Sequence, residues 1–476
     1  MSDDEYRPRL MIVGGGLTGA ALAIEIMRTS RAPLDLTLVE PAEDIGRGVA
    51  YGTVDPVHRI NVPTHRLSLC RDRPDDFTRW LFAQGILPDA ASTDDKGEHY
   101  VPRSSFGTYA RDTLETTVAH AGQRVTFRHL RARVVALERQ GAGWSVTLDD
   151  GRQIEADGVA LCPGHPAPIL PCRVSATALQ HPGLVANPWG RGAYERIGPD
   201  DSVLIVGTGL TMLDALASLD RAGHRGPVVA ISRRGLLARP QGGFRDGFDP
   251  FADAPQPRTA LGLLRLLRQG VADHAEAGWQ EVLDGFRLRL KRLWAALPPS
   301  EQRRVARRLL PFWDVHRFRA APQLHSLAEE WRRESRLGIM QAGLAGLDAD
   351  ADGLRATLAL PGDRRECRSF DAVVLCTGPG NALRTDPLIG DLLVRGLARA
   401  DGVGFGLSVD ASSRMITPDG TVQDRLWAFG PVTRGSFGEM TGAPDIVKHI
   451  GCVVPELIGA FRAHGTADKD RTSIPA

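Results

Sequence analysis

The segment RLMIVGGGLTGAALAIEIMRT leaves a chain little choice of fold: an apolar strand over residues 10–13, a glycine turn and a helical run follow one another without a spacer. Gly14, Gly16 and Gly19 stand at the spacing G-x-G-x-x-G. The first permits the tight turn, the second lets backbone approach a pyrophosphate, and the third lets helix and strand pack closely. The helix opens at Leu17 and Thr18, so its free amides and positive dipole end face the place of the phosphates. A second strand, 36–39, ends in Glu40, at the roughly 20-residue spacing from the glycines where a carboxylate accepts hydrogen bonds from a ribose diol. Together these features predict a βαβ unit that binds a dinucleotide.

The same organisation recurs in DSVLIVGTGLTMLDALASL, residues 201–219, with Gly207 and Gly209 in the first two glycine positions and Leu210 and Thr211 opening the helix. Met212 replaces the third glycine, which predicts a wider separation of helix and strand. The next strand, VVAIS, ends in Ser232, Arg233 and Arg234 where the first unit has its acid. Guanidinium groups there suit the 2′-phosphate of NADPH; the alternative is a solvated basic turn in an arginine-rich chain. VVALERQ, GWSVTLDDG and RQIEADG read as a strand meander leading into DGVALCPG, and LRATLALPGD and RECRSFDA lead into DAVVLCTG. Each copy runs acid, apolar strand, cysteine, glycine turn, so two related lobes are expected.

A length of 476 residues predicts two or three domains. With 42% apolar residues, 24% charged residues and a formal charge of +1, nothing favours a nucleic-acid partner. No apolar run reaches the ~18 residues of a membrane helix, and the opening MSDDEYRPR has neither a basic n-region nor an apolar h-region, so a cytoplasmic protein is expected. The six cysteines are scattered without a C-x-x-C pair or metal-ligand spacing, which predicts neither a metal site nor a disulfide-exchange centre.

In this order of motifs the chain resembles the two-dinucleotide-binding-domain flavoproteins, in their monooxygenase branch, since the redox cysteine pair of the family's disulfide reductases is missing. Within that branch it is similar to a bacterial FAD/NAD(P)-binding group that resembles flavin-dependent urate hydroxylase and, more distantly, N-hydroxylating monooxygenases. GRGVAYGTVDPVHRINVP, GTGLTMLD, SRRGLL and WDVHRFRAAP carry the likeness. The resemblance implies an α/β fold of two Rossmann-like domains, FAD in the first and NADPH in the second. Residues 1–198 would form the first part of the FAD domain, 199–370 the NAD(P)H domain with a helical insert at about 255–335, and 371–476 the return segment, starting at the C-T-G strand.

The stretch after Glu40 has no amphipathic period and is rich in glycine and proline, as befits a path set by a ligand rather than by a core face. The resemblance implies that it follows FAD outward, with Arg47 near the pyrophosphate and Asn61 and Val62 beside the flavin ring. It also implies Gly378 and Gly430 at that cofactor, although Pro431 stands where relatives often carry an acid. Residues 441–450 read as a helix whose N-terminus would face the flavin, with Arg434, Ser436 and Glu439 as candidate substrate contacts. In the insert, LPFWDVHRFRAAP packs Trp313, Asp314, His316, Arg317 and Arg319 into one stretch. That density fits an anionic or polar heterocyclic ligand, or else a buried ion cluster fastening the insert. The implied activity is NADPH-consuming oxygenation, through a flavin hydroperoxide, of a small nitrogen-containing substrate with molecular oxygen: a purine-like heterocycle such as urate, or an amine or amino acid. A plain reductase and a non-enzymatic FAD redox sensor share most of these motifs.

Overall fold

The structure, a computed structural model, describes residues 7–166, 168–351, 353–380 and 383–467. In the first lobe β1 (Arg9–Val13) turns into α1 (Leu17–Thr29) and then into β2 (Leu34–Val39), which pairs with β1 in parallel from Arg9↔Asp35 to Val13↔Val39. On the other side of β1 lies β3 (Gly158–Leu161), again parallel and buried at every residue. Burial on both faces is what permits an unbroken apolar strand. In the second lobe β4 (Val203–Val206), α2 (Leu210–Arg221) and β5 (Val228–Ser232) repeat the unit, and β6 (Ala372–Leu375) flanks β4 as β3 flanks β1. Antiparallel meanders precede both flanking strands: Val134–Gln140, Gly143–Leu148 and Gln153–Ala156 in one lobe, Gly343–Asp350, Gly353–Leu360 and Arg364–Phe370 in the other.

The echo seen in the sequence has one physical meaning in both places. Asp157 accepts a hydrogen bond from the Arg9 amide at 2.7 Å, and Asp371 accepts one from the Ser202 amide at 2.7 Å, so each acid pins the start of the neighbouring first strand. At the other end the Cys162 amide donates to Val13 at 2.7 Å and the Cys376 amide to Val206 at 2.8 Å. This corrects the expected boundaries. The C-T-G strand β6 does not open the return segment but completes the second lobe, because Asp371 is tied to the start of β4. Leu184–Val185 pairs with β6 and Arg173–Val174 with the second meander, so the second lobe also starts before residue 199. The chain rejoins the first sheet at Arg414–Ile416, which pairs antiparallel with β7 (Val422–Ala428), and β7 lies parallel to β3.

The insert is helical, as the 3.6-residue periodicity predicts. Its longest helix is α3 (Gly278–Ala295), and WDVHR falls within α4 (Leu310–Arg317). Phe251, Val282, Phe286, Leu293 and Trp294 form its own small core. Trp294 Nε1 donates to the Gly435 carbonyl at 2.8 Å, fastening the insert to the segment that leads into the last helix, α5 (Ala443–Ala467). The buried apolar residues of the two lobes belong to one continuous cluster, and polar contacts also join them. Buried His58 places Nδ1 2.7 Å from Thr53 Oγ1 and Nε2 2.9 Å from Ser218 Oγ on α2, while Arg103 pairs with buried Asp214. Burial holds the His58 imidazole below its ordinary range. Among the described residues no helix is long and apolar enough to cross a membrane.

A Cβ at Gly19 would stand 1.9 Å from the Gly14 carbonyl oxygen, whereas one at Gly209 would meet nothing within 4 Å. Gly19→Ala should therefore cost about 1–3 kcal/mol of stability, and Gly209→Ala less than about 0.5 kcal/mol, as read by urea unfolding. Equal losses would mean that helix and strand packing is not what Gly19 serves.

Candidate active site

At the first turn Gly14 adopts φ +101°, its amide donates to Val39 at 2.9 Å, and a Cβ there would lie 2.3 Å from the Cys162 carbonyl oxygen. No side chain can stand at that crossing. Gly16 opens α1 with only the Gly48 Cα within 4 Å of a built Cβ, and the Gly46 amide donates to the Gly15 carbonyl at 2.8 Å. The loop after Glu40 thus folds back over the turn. Glu40 accepts the Gly15 amide at 2.7 Å and the Ala42 amide at 3.0 Å. An ionised carboxylate has about four lone-pair sites, so two stay available to a ribose. Arg47 is half-buried beside Asp44, with Nε 3.2 Å away but not aligned for a hydrogen bond. Gly430 (φ +80°) packs on Thr18, where a Cβ would be 2.6 Å from Oγ1, so the return segment closes over the first turn of α1 beside Leu17. A backbone-lined groove, free amides, an acid with open lone pairs and a neighbouring guanidinium fit the adenosine and pyrophosphate of FAD.

The second turn copies this geometry. Gly207 adopts φ +123°, and a Cβ there would be 2.0 Å from the Cys376 carbonyl oxygen. Above Gly209, Leu210 and Thr211 begin α2; Met212 is wholly buried. The hydroxyls of Thr208 and Ser232 bond each other at 2.8 Å, and Ser232 Oγ also accepts the Gly235 amide at 3.0 Å, so Ser232 is engaged in shaping the turn. Arg233 and Arg234 are exposed, Arg234 stacked over Phe312, and neither forms an ion pair among the described residues. They stand at the end of β5 as a 2′-phosphate site requires. Gly378 follows β6 in this second lobe and not the sheet of the first glycine turn, where the FAD site is expected. Burial pushes the Cys162 and Cys376 thiols well up, so neither offers a thiolate.

Between the lobes opens a cavity of about 850 Å³. The loop after Glu40 supplies Tyr51, Asn61 and Val62; α2 contributes Leu210; the insert contributes Asp284, Arg287, Lys291 and Arg317; and the start of α5 contributes Gly442 to Asp445. The Asn61 carbonyl accepts a hydrogen bond from Gln241 of the second lobe. Arg317 is buried and engaged on both sides, donating to Asp445 at 2.8 Å and lying 3.4 Å from Glu439. Arg287 binds Asp445 at 2.9 Å and Asp284 at 3.2 Å, and Arg319 binds Asp284 at 2.7 Å. Burial works to raise the Asp445 carboxyl, yet Arg287 and Arg317 outweigh it and hold the group below its ordinary range.

Of the expected substrate contacts, Glu439 lines this cavity, with Oε1 accepting the amide and hydroxyl of Thr441 at 3.2 and 2.5 Å. Arg317 and Arg319 line it as well, but the remaining candidates lie outside its lining. Arg434 pairs with Asp314 at 3.0 Å, Ser436 accepts the Val409 amide at 3.1 Å, and His316 bonds its own helix at Phe312 and meets Trp279 edge-on. Arg317 therefore belongs to an ion cluster bracing α3, α4 and α5, which was the second of the two sequence readings. Lys291, Lys448, Arg287, Gln241 and Asp445 were not expected at all. The one signal that pointed to the lysines was their rarity.

Residues 11–166 match the FAD-NAD(P)-binding family. Over 275 residues the chain is 26% identical to L-aspartate N-monooxygenase (nitrosuccinate-forming) of Streptomyces davaonensis, a match covering 48% of this chain and 41% of that relative's length. Among solved structures, the ornithine N-hydroxylase of Kutzneria sp. 744 superposes with TM-score 0.64 at 17% identity, covering 95% of this chain and 99% of that one. L-lysine 6-monooxygenase of Pseudomonas syringae gives 0.61 at 19% over 96% and 100%, and Lactococcus lactis thioredoxin reductase 0.54 at 11% over 96% and 100%. With its two strand–glycine turn–helix units, the chain has the mixed α/β fold of flavoproteins built from two dinucleotide-binding domains.

Proposed function

We propose that this protein is an FAD- and NADPH-dependent monooxygenase that places one oxygen atom on the nitrogen of a small amine or amino acid. The observation that carries the reading is the convergence of three elements on one cavity: the loop after Glu40, the start of α2 and the N-terminus of α5. Both dinucleotide sites thereby serve a single reaction space. Bound FAD would supply oxygen activation with electrons drawn from NADPH. The chain's own work is positional. Glu40 holds a ribose, the first-turn amides of α1 hold the pyrophosphate, and Arg233 and Arg234 select the 2′-phosphate. The N-terminus of α5 turns its positive dipole end towards the ring that accepts charge. The ion cluster around Arg317 and Asp445 keeps that helix end in place and walls the cavity from water.

The relatives' activities on aspartate, ornithine and lysine favour an amine over a purine-like heterocycle. The heterocycle reading rests on the density of aromatic and charged side chains in the arginine-rich insert, and there Arg317 is engaged by Glu439 and Asp445. The deciding experiment supplies FAD, NADPH and oxygen with a panel of amino acids and amines. N-oxygenated product formed in step with NADPH oxidation is expected for at least one of them. Hydrogen peroxide alone with every member of the panel would leave a plain reductase.

Gly16→Val would drive branched methyls towards Gly48 and into the pyrophosphate groove. Flavin recovered with the purified protein should fall at least about tenfold, measured from the absorbance of released FAD. Full occupancy would displace the first cofactor site. Arg233→Ala with Arg234→Ala should raise KM for NADPH by about 10- to 100-fold and that for NADH by less than about threefold, each charged hydrogen bond being worth roughly 1.5–3 kcal/mol. An equal rise with both nucleotides would assign the pair to structure.

A further inference from the structure

Among the described residues only two aromatic rings stand out as exposed apolar groups, Phe82 at 50% and Phe312 at 45%. Phe82 meets His99 edge-on, with ring centroids 6.2 Å apart. Over Phe312 lies no ring but the Arg234 guanidinium, 5.3 Å from the ring centroid. A single exposed ring needs no explanation of its own, and what gives this one a meaning is its place. Its exposure does not come from a loose helix. α4 is held at Asp314 by Arg434 at 3.0 Å, at Arg317 by Asp445 at 2.8 Å, and at Val315, whose carbonyl accepts the Arg239 amide at 2.9 Å.

The contact at Val315 decides where the ring stands. The Ala320 amide donates back to the Arg239 carbonyl at 2.9 Å, so the chain leaving β5 runs beside the end of α4. The insert thereby delivers Phe312 to the carboxyl end of β5, next to the exposed Arg233 and Arg234. On the far side of β5 the strand Leu337–Gln341 pairs with it and ends level with it, Gln341 donating to the Arg233 carbonyl at 3.2 Å. In a βαβ unit the carboxyl end of the second strand receives the adenosine ribose, and the purine extends beyond that ribose over whatever surface the neighbouring elements offer. Here the insert offers a flat apolar ring. A guanidinium resting on an exposed ring is a weak contact, whereas a charged hydrogen bond to phosphate and the stacking of a base on an aromatic face are each stronger. Arg234 therefore gains by turning from ring to phosphate, and the face it leaves accepts the base.

We propose that Phe312 is the adenine platform of the second dinucleotide site: it stacks the purine that NADPH and NADH share, while Arg233 and Arg234 read the 2′-phosphate that only NADPH carries. This rests on the reading of the second turn as an NADPH site, and it adds to that site a residue of the helical insert, outside both glycine motifs. The ring raises affinity for both nucleotides and does not tell them apart.

The test is calorimetric titration of the FAD-loaded protein with adenosine 2′,5′-bisphosphate and, separately, with NAD+, which share the adenine and differ at the 2′ position. F312A should weaken the binding of both probes by the same factor, about five- to thirtyfold, whereas F312W should stay within about threefold of the wild type. In steady state F312A should raise KM for NADPH and for NADH alike, unlike the arginine pair. Flavin content and Tm should stay at their wild-type values, because the ring is exposed. Binding unchanged in F312A overturns the stacking assignment and leaves the nucleotide site standing. A loss confined to the bisphosphate also overturns it, since the ring would then serve only to seat Arg234. So does weaker binding accompanied by a fall in Tm of more than about 2 °C, which would assign the ring to packing. Failure of the wild type to bind either probe would end the reading of the second turn as a nucleotide site, and this proposal with it.

Discussion

One tight approach of backbone to backbone, repeated in each lobe, sets the rest of the molecule. At Gly14 and again at Gly207 the first strand turns away within 2.0–2.3 Å of where a side chain would strike the carbonyl oxygen of a cysteine ending the flanking strand. Because nothing larger than hydrogen fits, helix, first strand and flanking strand converge on one point, and the amide end of the helix is left facing outward. The paired acids Asp157 and Asp371 pin the opposite ends of these strands, so each lobe is drawn together from both ends by residues that recur in both copies. Cys162 and Cys376 are buried strand ends in this scheme, with a packing role and no thiol chemistry.

Two such lobes do not by themselves make a reaction space. Theirs is made by what lies between them: the loop after Glu40, which leaves the first lobe and reaches the second at Asn61 and His58, and the insert, which leaves the second and reaches the first at α5. The contacts that close this circuit are polar. A cluster of three arginines and three acids braces α3, α4 and α5 around the cavity, and its charges cancel. Such a cluster adds little net stability, because desolvation consumes most of the Coulomb gain, but breaking any one partner strands a buried charge. It therefore holds one arrangement of the helices against its neighbours.

How much of this was legible in the sequence follows from the range over which each interaction acts. The glycine turns, Glu40, the arginines after β5 and the helical insert depend on residues within one βαβ unit or one helix turn, and local chemistry dictated each of them. Even the duplicated acid, strand, cysteine and glycine pattern was visible, since both copies answer the same local need. The sheet that β6 joins could not be read in the same way. An apolar strand of four residues fits beside β1 or beside β4 equally well, and only the bond from Ser202 to Asp371 and the pairing with β4 chose between them. The partner of Arg317 was equally out of reach, because Asp445 lies 128 residues away in the chain. A guanidinium in a polar stretch has the same appearance whether it awaits a substrate or faces a carboxylate brought in from elsewhere. By itself, then, the sequence determined two dinucleotide-binding units and the glycine turns that shape them, through short-range backbone sterics. Tertiary structure alone decided which charges around the cavity are cancelled and which remain free, because charge compensation is settled by distance in space and not by spacing along the chain.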